Sequence, residues 1–204
     1  MTETNIGPEL TILPANEASW EDIKVVFGTR GDAPRCQCQR YKLWPKESWA
    51  SVGREELGHR LRTQTECGHR RSRTTSGLVA YLDGEPVGWC AVEPRSAYHG
   101  LVRSMKVPWE GRDEDKADAS VWAVTCFVTR AGFRRRGISR ALARAAVDFA
   151  RKRGARALEA YPMTTTNAIL GEMHVGAVAV FAAAGLSEVG RPTLRRAVMR
   201  IDFE

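Results

Sequence analysis

Long hydrophobic runs are missing from this sequence, and so is an even set of cysteines. No stretch approaches the roughly 20 consecutive apolar residues that a membrane-spanning helix needs, and the opening MTETNIGPEL lacks the charged-then-apolar layout of a secretory signal. The five cysteines are an odd number, which excludes a complete set of intrachain disulfides and favours reduced thiols. We therefore predict a cytoplasmic protein without a membrane partner.

Lysine is also scarce. Only six of the 31 basic residues are lysines, and with 24 acidic residues the formal net charge is +7. An arginine-rich chain attracts anions, but the total charge does not distinguish nucleic acid from a membrane surface or a phosphate-bearing small molecule. The 204 residues, 43% hydrophobic and 27% charged, are typical of one globular domain with a sizeable core.

Hydrophobic periodicity predicts a strand and two helices in the first third of the chain. The strand covers residues 11–13, one helix covers 18–27, and a longer helix lies within 45–65. The period then changes to that of a strand. Two apolar runs, 78–82 and 87–92, are joined by a turn that contains Asp-Gly, which predicts an antiparallel hairpin.

The second half of the chain predicts a strand, a helix and a strand in sequence. Residues 95–120 contain scattered apolar groups and then an acid-rich stretch, 111–120, which is expected to form an exposed loop. A continuous apolar strand over 121–129 precedes an amphipathic helix over 138–153, which Gly154 is placed to cap, and a strand follows over 157–161. The crossover is long enough for parallel pairing. The tail predicts one helix and two strands, over 177–184, 187–190 and 197–203. These elements indicate an α/β fold with a mixed sheet.

The turn before the 138–153 helix has the composition of an anion site. The first N–H groups of a helix lack internal partners, and the helix dipole is positive there. Gly137 permits close approach of a ligand, and Ser139 offers a hydroxyl. Three cations, Arg134, Arg135 and Arg136, would disfavour a helix start unless an anion binds beside them.

This segment resembles the acyl-CoA-binding motif of the GNAT N-acetyltransferase superfamily, which reads Gln or Arg, two residues, Gly, one residue, then Gly or Ala. Arg134 and Gly137 match, and Ser139 replaces the last residue. The tail from Phe181 to Leu186 resembles the family's ending of an aromatic residue, three residues, Gly and Leu. The resemblance covers about residues 75–203. It implies one domain, 1–204, in which two parallel strands splay apart and residues 1–75 form the acceptor side.

The resemblance also implies a cofactor and a reaction. Acetyl-CoA would donate its acetyl group directly to a primary amine of a small molecule or peptide. Backbone groups of the first splayed strand would hold the pantetheine arm, and the turn would hold the pyrophosphate. The implied cofactor-binding residues are Cys126, Phe127, Val128, Arg134, Arg135, Arg136, Gly137, Ile138, Ser139 and Phe181. A homodimer is left open.

The catalytic residues are less clearly indicated. Many relatives carry an Asn and, seven residues later, a Tyr that protonates the leaving thiolate; here these positions hold His174 and Phe181. Phe181 has no proton to give, so the candidates are His174 and, on one face of the second splayed strand, Glu159 and Tyr161. A protein that binds acyl-CoA as a sensor without turnover is the main alternative.

Two other interpretations stay open. Cys36, Cys38, Cys67 and His69 offer four zinc ligands, although their C-x-C and C-x-H spacings differ from those of common zinc sites, and we expect no metal. A nucleic-acid-binding module would use the arginines around residues 60–73. No recognised nucleic-acid-binding motif accompanies them, so this function is the least expected.

Overall fold

One seven-stranded mixed sheet forms the centre of the protein. The structure, a computed structural model, describes residues 9–165, 167–169 and 171–204. The strand order is β1-β2-β3-β4-β5-β7-β6, and only β4 and β5 pair in parallel. The strands are β1 Leu10–Pro14, β2 Gly77–Leu82, β3 Glu85–Pro94, β4 Val121–Thr129, β5 Ala157–Ala160, β6 Ser187–Thr193 and β7 Arg196–Asp202.

Helices cover both faces of the sheet. They are α1 Trp20–Phe27, α2 Ala33–Cys36, α3 Trp49–Val52, α4 Arg54–Thr65, α5 His99–Arg103, α6 Ile138–Lys152 and α7 Val178–Ala182. Helix α6 packs across β2 to β5 on one face, and α1 packs on β3 and β4 on the other. The sheet with helices on both faces agrees with the predicted fold class.

The elements with the strongest local pattern form where they are predicted. Helix α6 buries Leu142, Ala146 and Phe149 on the face that the periodicity indicates. The β2–β3 hairpin turns at Asp83 and Gly84, with φ of 51° and 79°, the two left-handed residues that a tight hairpin requires.

The segments that approach the sheet from outside differ in how well the sequence predicts them. The helical region expected within 45–65 is broken at Gly53, whose φ of 85° ends α3 before α4 begins. The acid-rich stretch 111–120 forms no helix or strand, as expected, whereas the segment 95–110 before it contains α5 and buries Arg95 and Trp109. Its apolar residues are scattered in sequence, and the fold gathers them against β4 and β5.

Candidate active site

Strands β4 and β5 diverge after four residue pairs. The parallel ladder joins Val121–Val124 to Ala157–Ala160. Pro162 then follows, and Met163 bridges to Ala177 and to β7 rather than to β4. Among the residues that the structure describes, the later half of β4 therefore has no strand partner on this side. Its free N–H and C=O groups form an open edge that an extended amide ligand can hydrogen-bond.

A β-bulge lies at the start of the open edge. Val92 of β3 is opposite Val124, whereas Ala91 is opposite Cys126, so Thr125 is an extra residue in β4. The bulge reverses the alternation of side chains. Cys126 consequently packs with the α1 side of the core, and Phe127 packs with the α6 side.

The remaining residue of the predicted pantetheine strand, Val128, is half-buried beside the same cluster as Cys126. Cys126, Phe127 and Val128 are thus consecutive along the open edge. This is the stretch for which the sequence predicts backbone contacts with a pantetheine arm, and its strand edge is open.

The open edge leads directly into the basic turn and the start of α6. Arg134, Arg135 and Arg136 are exposed, and none of these side chains forms an ion pair within the described part of the chain. Gly137 has a φ of 79°, and a Cβ built on it would meet nothing within 4 Å, so space is open above this helix terminus. Ser139 is half-buried in the first turn of α6.

Close packing fixes the position of this helix terminus. Ile138 is buried, and a Cβ on Gly88 of β3 would lie 2.7 Å from its side chain. Only glycine at position 88 lets α6 approach the sheet this closely. The backbone N–H groups at the start of α6 are therefore held beside the end of the open edge, which is the arrangement that a phosphate needs.

Glu159 lies at the centre of a buried ion-pair cluster. The guanidinium groups of Arg95, Arg112 and Arg200 all pair with its carboxylate, with Arg95 at 3.2 Å and Arg200 at 2.8 Å. The Tyr161 hydroxyl donates a hydrogen bond to Glu159 Oε2 at 2.9 Å. The side chain of Glu159 is 0% exposed. Both carboxylate oxygens of Glu159 are occupied by these contacts, which argues against Glu159 as a base. The Tyr161 hydroxyl already donates its proton to Glu159 and so is not free to donate it to a substrate.

His174 is placed differently. Its Nδ1 lies 2.8 Å from the carbonyl oxygen of Gly171, and its Nε2 is buried with no hydrogen-bond partner in the described structure. Burial, with a further contribution from the positive charge of Arg40, lowers the pKa of His174 to about 4. The imidazole is therefore neutral near pH 7, with Nδ1–H donating to Gly171 and a lone pair on Nε2.

Phe181 lies on the opposite side of the sheet from His174. It is buried, and its ring centroid lies 5.5 Å from that of Phe127. A Cβ on Gly176 would lie within about 3 Å of both rings, so the chain passes close over this aromatic pair. Phe181 therefore fills the space beside Phe127 at the open edge with an apolar ring.

The Cys36-Gln-Cys38 segment packs against the open edge from the α1 side. Trp89 Nε1–H donates to the sulfur of Cys38 at 3.3 Å. A hydrogen bond from the Cys126 thiol lowers the pKa of Cys38, and the same contact raises the pKa of Cys126. Gln37 and Cys38 both have left-handed backbone conformations, which are strained for non-glycine residues.

The proposed zinc ligands do not form one site. Cys38 is buried inside a core cluster, whereas Cys67 is only half-buried at the margin of that cluster and His69 is exposed. Within the residues that the structure describes, no group of three or more His, Cys, Asp or Glu side chains is placed to hold a metal ion.

Sequence reasoning missed the polar residues that flank His174. Arg40 and Tyr41 follow the cysteine pair, and Arg196 begins β7; all three lie near His174. No periodic or spacing signal marks these residues, because they come together only through the tertiary fold.

Comparison with known proteins identifies the family. The model of the acetyltransferase (GNAT) family matches residues 39–174. The chain belongs to this family. The prediction of a GNAT acyltransferase is thereby confirmed. No curated protein sequence matches this GNAT chain.

Solved structures described as acetyltransferases share its fold at low sequence identity. An N-acetyltransferase from Staphylococcus aureus Mu50 is 16% identical, with 95% of this chain and 98% of that chain covered and a TM-score of 0.55. A ribosomal-protein-alanine N-acetyltransferase from Brucella melitensis is 17% identical, with 95% and 99% covered and a TM-score of 0.53.

A third similar structure was solved with its cofactor. The yncA protein of Salmonella typhimurium, described with acetyl-CoA, is 12% identical, with 96% of this chain and 94% of that chain covered and a TM-score of 0.52. At these identities the likeness shows the fold alone. Separately, no helix among the described residues is long and apolar enough to cross a membrane.

Proposed function

We propose that the protein transfers an acetyl group from acetyl-CoA to a primary amine of a small molecule or peptide, by direct attack of the amine on the thioester. One observation carries this proposal: the unpaired edge of β4 beyond Val124 runs without interruption into the basic turn and the start of α6. An extended amide arm and a pyrophosphate fit this sequence of backbone donors and cations. Membership of the acetyltransferase family supports the same cofactor.

Different residues along this edge bind the phosphates, hold the pantetheine arm and accept the proton. Arg134 to Arg136 and the N–H groups from Gly137 onward bind the phosphates. Backbone groups of Cys126 to Val128 hold the pantetheine arm and orient the thioester. The lone pair on His174 Nε2 accepts a proton from the acceptor amine, directly or through water. Acetyl-CoA supplies the activated acyl group, and its thiolate is the leaving group.

Two glycines at opposite ends of α6 test the cofactor site. Gly137 and Gly154 have φ values of 79° and 77°, and a Cβ on either would meet nothing within 4 Å. Tryptophan at either position incurs the same backbone strain, about 1–2 kcal/mol. Only Gly137→Trp places a side chain where we expect the pyrophosphate, so this variant should lose acetyl-CoA binding in calorimetry while Gly154→Trp keeps it. Equal affinities would refute the phosphate assignment.

An acyl-CoA sensor is the second candidate function, and Phe181 is the observation that favours it. A buried phenylalanine supplies no proton to the leaving thiolate. The two functions differ in turnover: an enzyme releases coenzyme A when acetyl-CoA and a panel of amines are supplied. Mass spectrometry of the amine panel measures this directly. Tight binding of acetyl-CoA without any acetylated amine would favour the sensor.

A further inference from the structure

Four polar side chains meet where β5 ends. We call them the Arg40–Arg196 cluster: Arg40, Tyr41, His174 and Arg196. The rings of Tyr41 and His174 are 6.1 Å apart between centroids. The positive charges of Arg196 and Arg40 act on both Tyr41 and His174, and in each case they lower the pKa after the larger effect of burial. Two cations and two uncharged polar groups therefore share one partly buried site.

The cations of this cluster lack acidic partners. Neither Arg40 nor Arg196 forms an ion pair with a carboxylate of the described residues. Asp32 lies near enough to raise the pKa of His174 slightly, and Glu172 pairs with Arg195 instead. Two buried atoms, Nε of Arg40 and Nε2 of His174, have no hydrogen-bond partner in the described structure. Buried donors and acceptors without a partner are rare in folded proteins, and a ligand bound at this cluster would satisfy both atoms.

Neutral contacts hold both guanidinium groups in position. Arg40 stacks on the ring of Trp49, with its central carbon 4.4 Å from the centroid. Arg196 donates to the carbonyl oxygen of Tyr161 at 3.1 Å. These contacts orient the cations without neutralising them, so the site is prepared for an anion before one binds.

The cluster borders the open edge of β4. The short turn 173–175 that carries His174 packs against β4, and Cys126 lies within electrostatic range of Tyr41. An acceptor held by the cluster would therefore lie beside the position we assign to the thioester, on the α1 side of the sheet. The phosphates bind at the other end of the edge, at the start of α6.

We propose that the acceptor is an amine that also carries a carboxylate, such as a free amino acid. This inference rests on the proposed function and specifies its substrate class. Arg40, Arg196 and the Tyr41 hydroxyl donate hydrogen bonds to the carboxylate. The lone pair on His174 Nε2 faces the amine and accepts a hydrogen bond from it. A carboxylate and an amine together satisfy both unpartnered atoms of the cluster.

Matched acceptors test this proposal. The panel contains α-, β- and γ-amino acids, the amide of each, and the amine that lacks the carboxyl group. We expect kcat/KM for the best acid to exceed that for its amide by at least about tenfold, because a charge-assisted hydrogen bond is lost in the amide. Acids and amides that are acetylated equally well would overturn the proposal and leave the proposed function standing. Phosphoethanolamine as the best acceptor would overturn it in favour of a phosphate.

Five variants locate the effect. Arg40→Gln and Arg196→Gln should each raise KM for the acid about 10- to 100-fold and change KM for the amide little. The exposed neighbours Arg35 and Arg195 provide the controls, Arg35→Gln and Arg195→Gln, which should leave the ratio of acid to amide unchanged. Arg196→Lys, which keeps the charge, should recover part of the preference. A preference that survives in both cluster variants contradicts the assignment.

A binding measurement separates this proposal from the proposed function. If acetyl-CoA binds and no amine is acetylated, the proposed function fails. Calorimetry of the same panel with coenzyme A-saturated protein then decides the acceptor class without turnover. Binding of an acid, with loss of about tenfold or more in Arg40→Gln, supports the carboxylate site. No binding by any acid overturns it.

Discussion

Two groups of arginines flank β5, and they are neutralised to different degrees. At Glu159, three guanidinium groups converge on a buried carboxylate, and Glu114 and Asp202 lie at the rim. In the Arg40–Arg196 cluster, two guanidinium groups converge with no carboxylate between them among the described residues. Arginines whose charge is neutralised by carboxylates within the protein are typical of structural contacts. Arginines without an acidic partner can bind an anionic ligand, so the comparison separates the arginines that stabilise the fold from those available to a substrate.

Removal of the central carboxylate should have the largest effect on stability. Glu159→Gln removes the central anion from one buried guanidinium group, that of Arg95, and from two partly exposed ones, those of Arg112 and Arg200, and we expect a loss of about 3–5 kcal/mol in the free energy of unfolding. Denaturant unfolding measures this loss. Glu114→Gln is the control, because Glu114 is about one third exposed and should cost about 1 kcal/mol or less. A fully stable Glu159→Gln variant would mean that the two groups of arginines do not differ in this way.

Acidification should weaken the second cluster by adding a third cation to it. The pKa of His174 is lowered to about 4 in the folded protein, from an ordinary value of 6.5. Unfolded His174 therefore takes up a proton at a higher pH than folded His174, and stability falls as the pH drops from about 6.5 to about 4. The two pKa values correspond to about 3 kcal/mol. The other charged or titratable groups that act on His174 are Arg40, Arg196 and Asp32.

Unfolding curves between pH 7.5 and pH 4.5 check this expectation. The loss of stability in wild-type protein should exceed that in His174→Gln, because carboxylates elsewhere titrate in both proteins. Parallel losses in the two proteins would show that His174 takes up its proton equally in the folded and unfolded states.

The smallest expected effect on stability comes from a comparison of two arginines in β7. Arg200→Gln removes one of the three partners of Glu159, and we expect a loss of about 1–3 kcal/mol. Arg196→Gln removes a cation that has no acidic partner among the described residues, so stability should stay within about 1 kcal/mol of wild type. Thermal unfolding of the two variants gives the comparison. A larger loss from Arg196→Gln would identify it as a structural residue.

The cofactor side could be predicted because it depends on neighbours in sequence. The apolar strand, the basic turn and the amphipathic helix α6 are each defined by local pattern, and the glycine at the turn is read directly. Alternation also placed Glu159 and Tyr161 on one face, as their hydrogen bond confirms. It could not reveal that three arginines from separate segments surround Glu159. Glu159 is therefore a candidate base by its position in the sequence, whereas in the structure it is the counter-ion of three arginines.

The acceptor side could not be predicted for the same physical reason. Arg40 and Arg196 lie near opposite ends of the chain and meet only after β5 and β7 are in place. The bulge at Thr125 adds a second obstacle, since strict alternation places Cys126 on the face opposite to the one it occupies. Neither contact has a sequence signal of its own.

The short ladder between β4 and β5 has a mechanical consequence. Among the residues that the structure describes, the backbone ladder between strands β1 to β4 and strands β5 to β7 has only four residue pairs, and α6 packs across the junction on one face. A ligand that fills the gap beyond Val124 would act as a missing strand between two halves of the molecule. Occupancy would then couple their unfolding, so that amide protons of β5 and β7 exchange with solvent more slowly when the cofactor is bound.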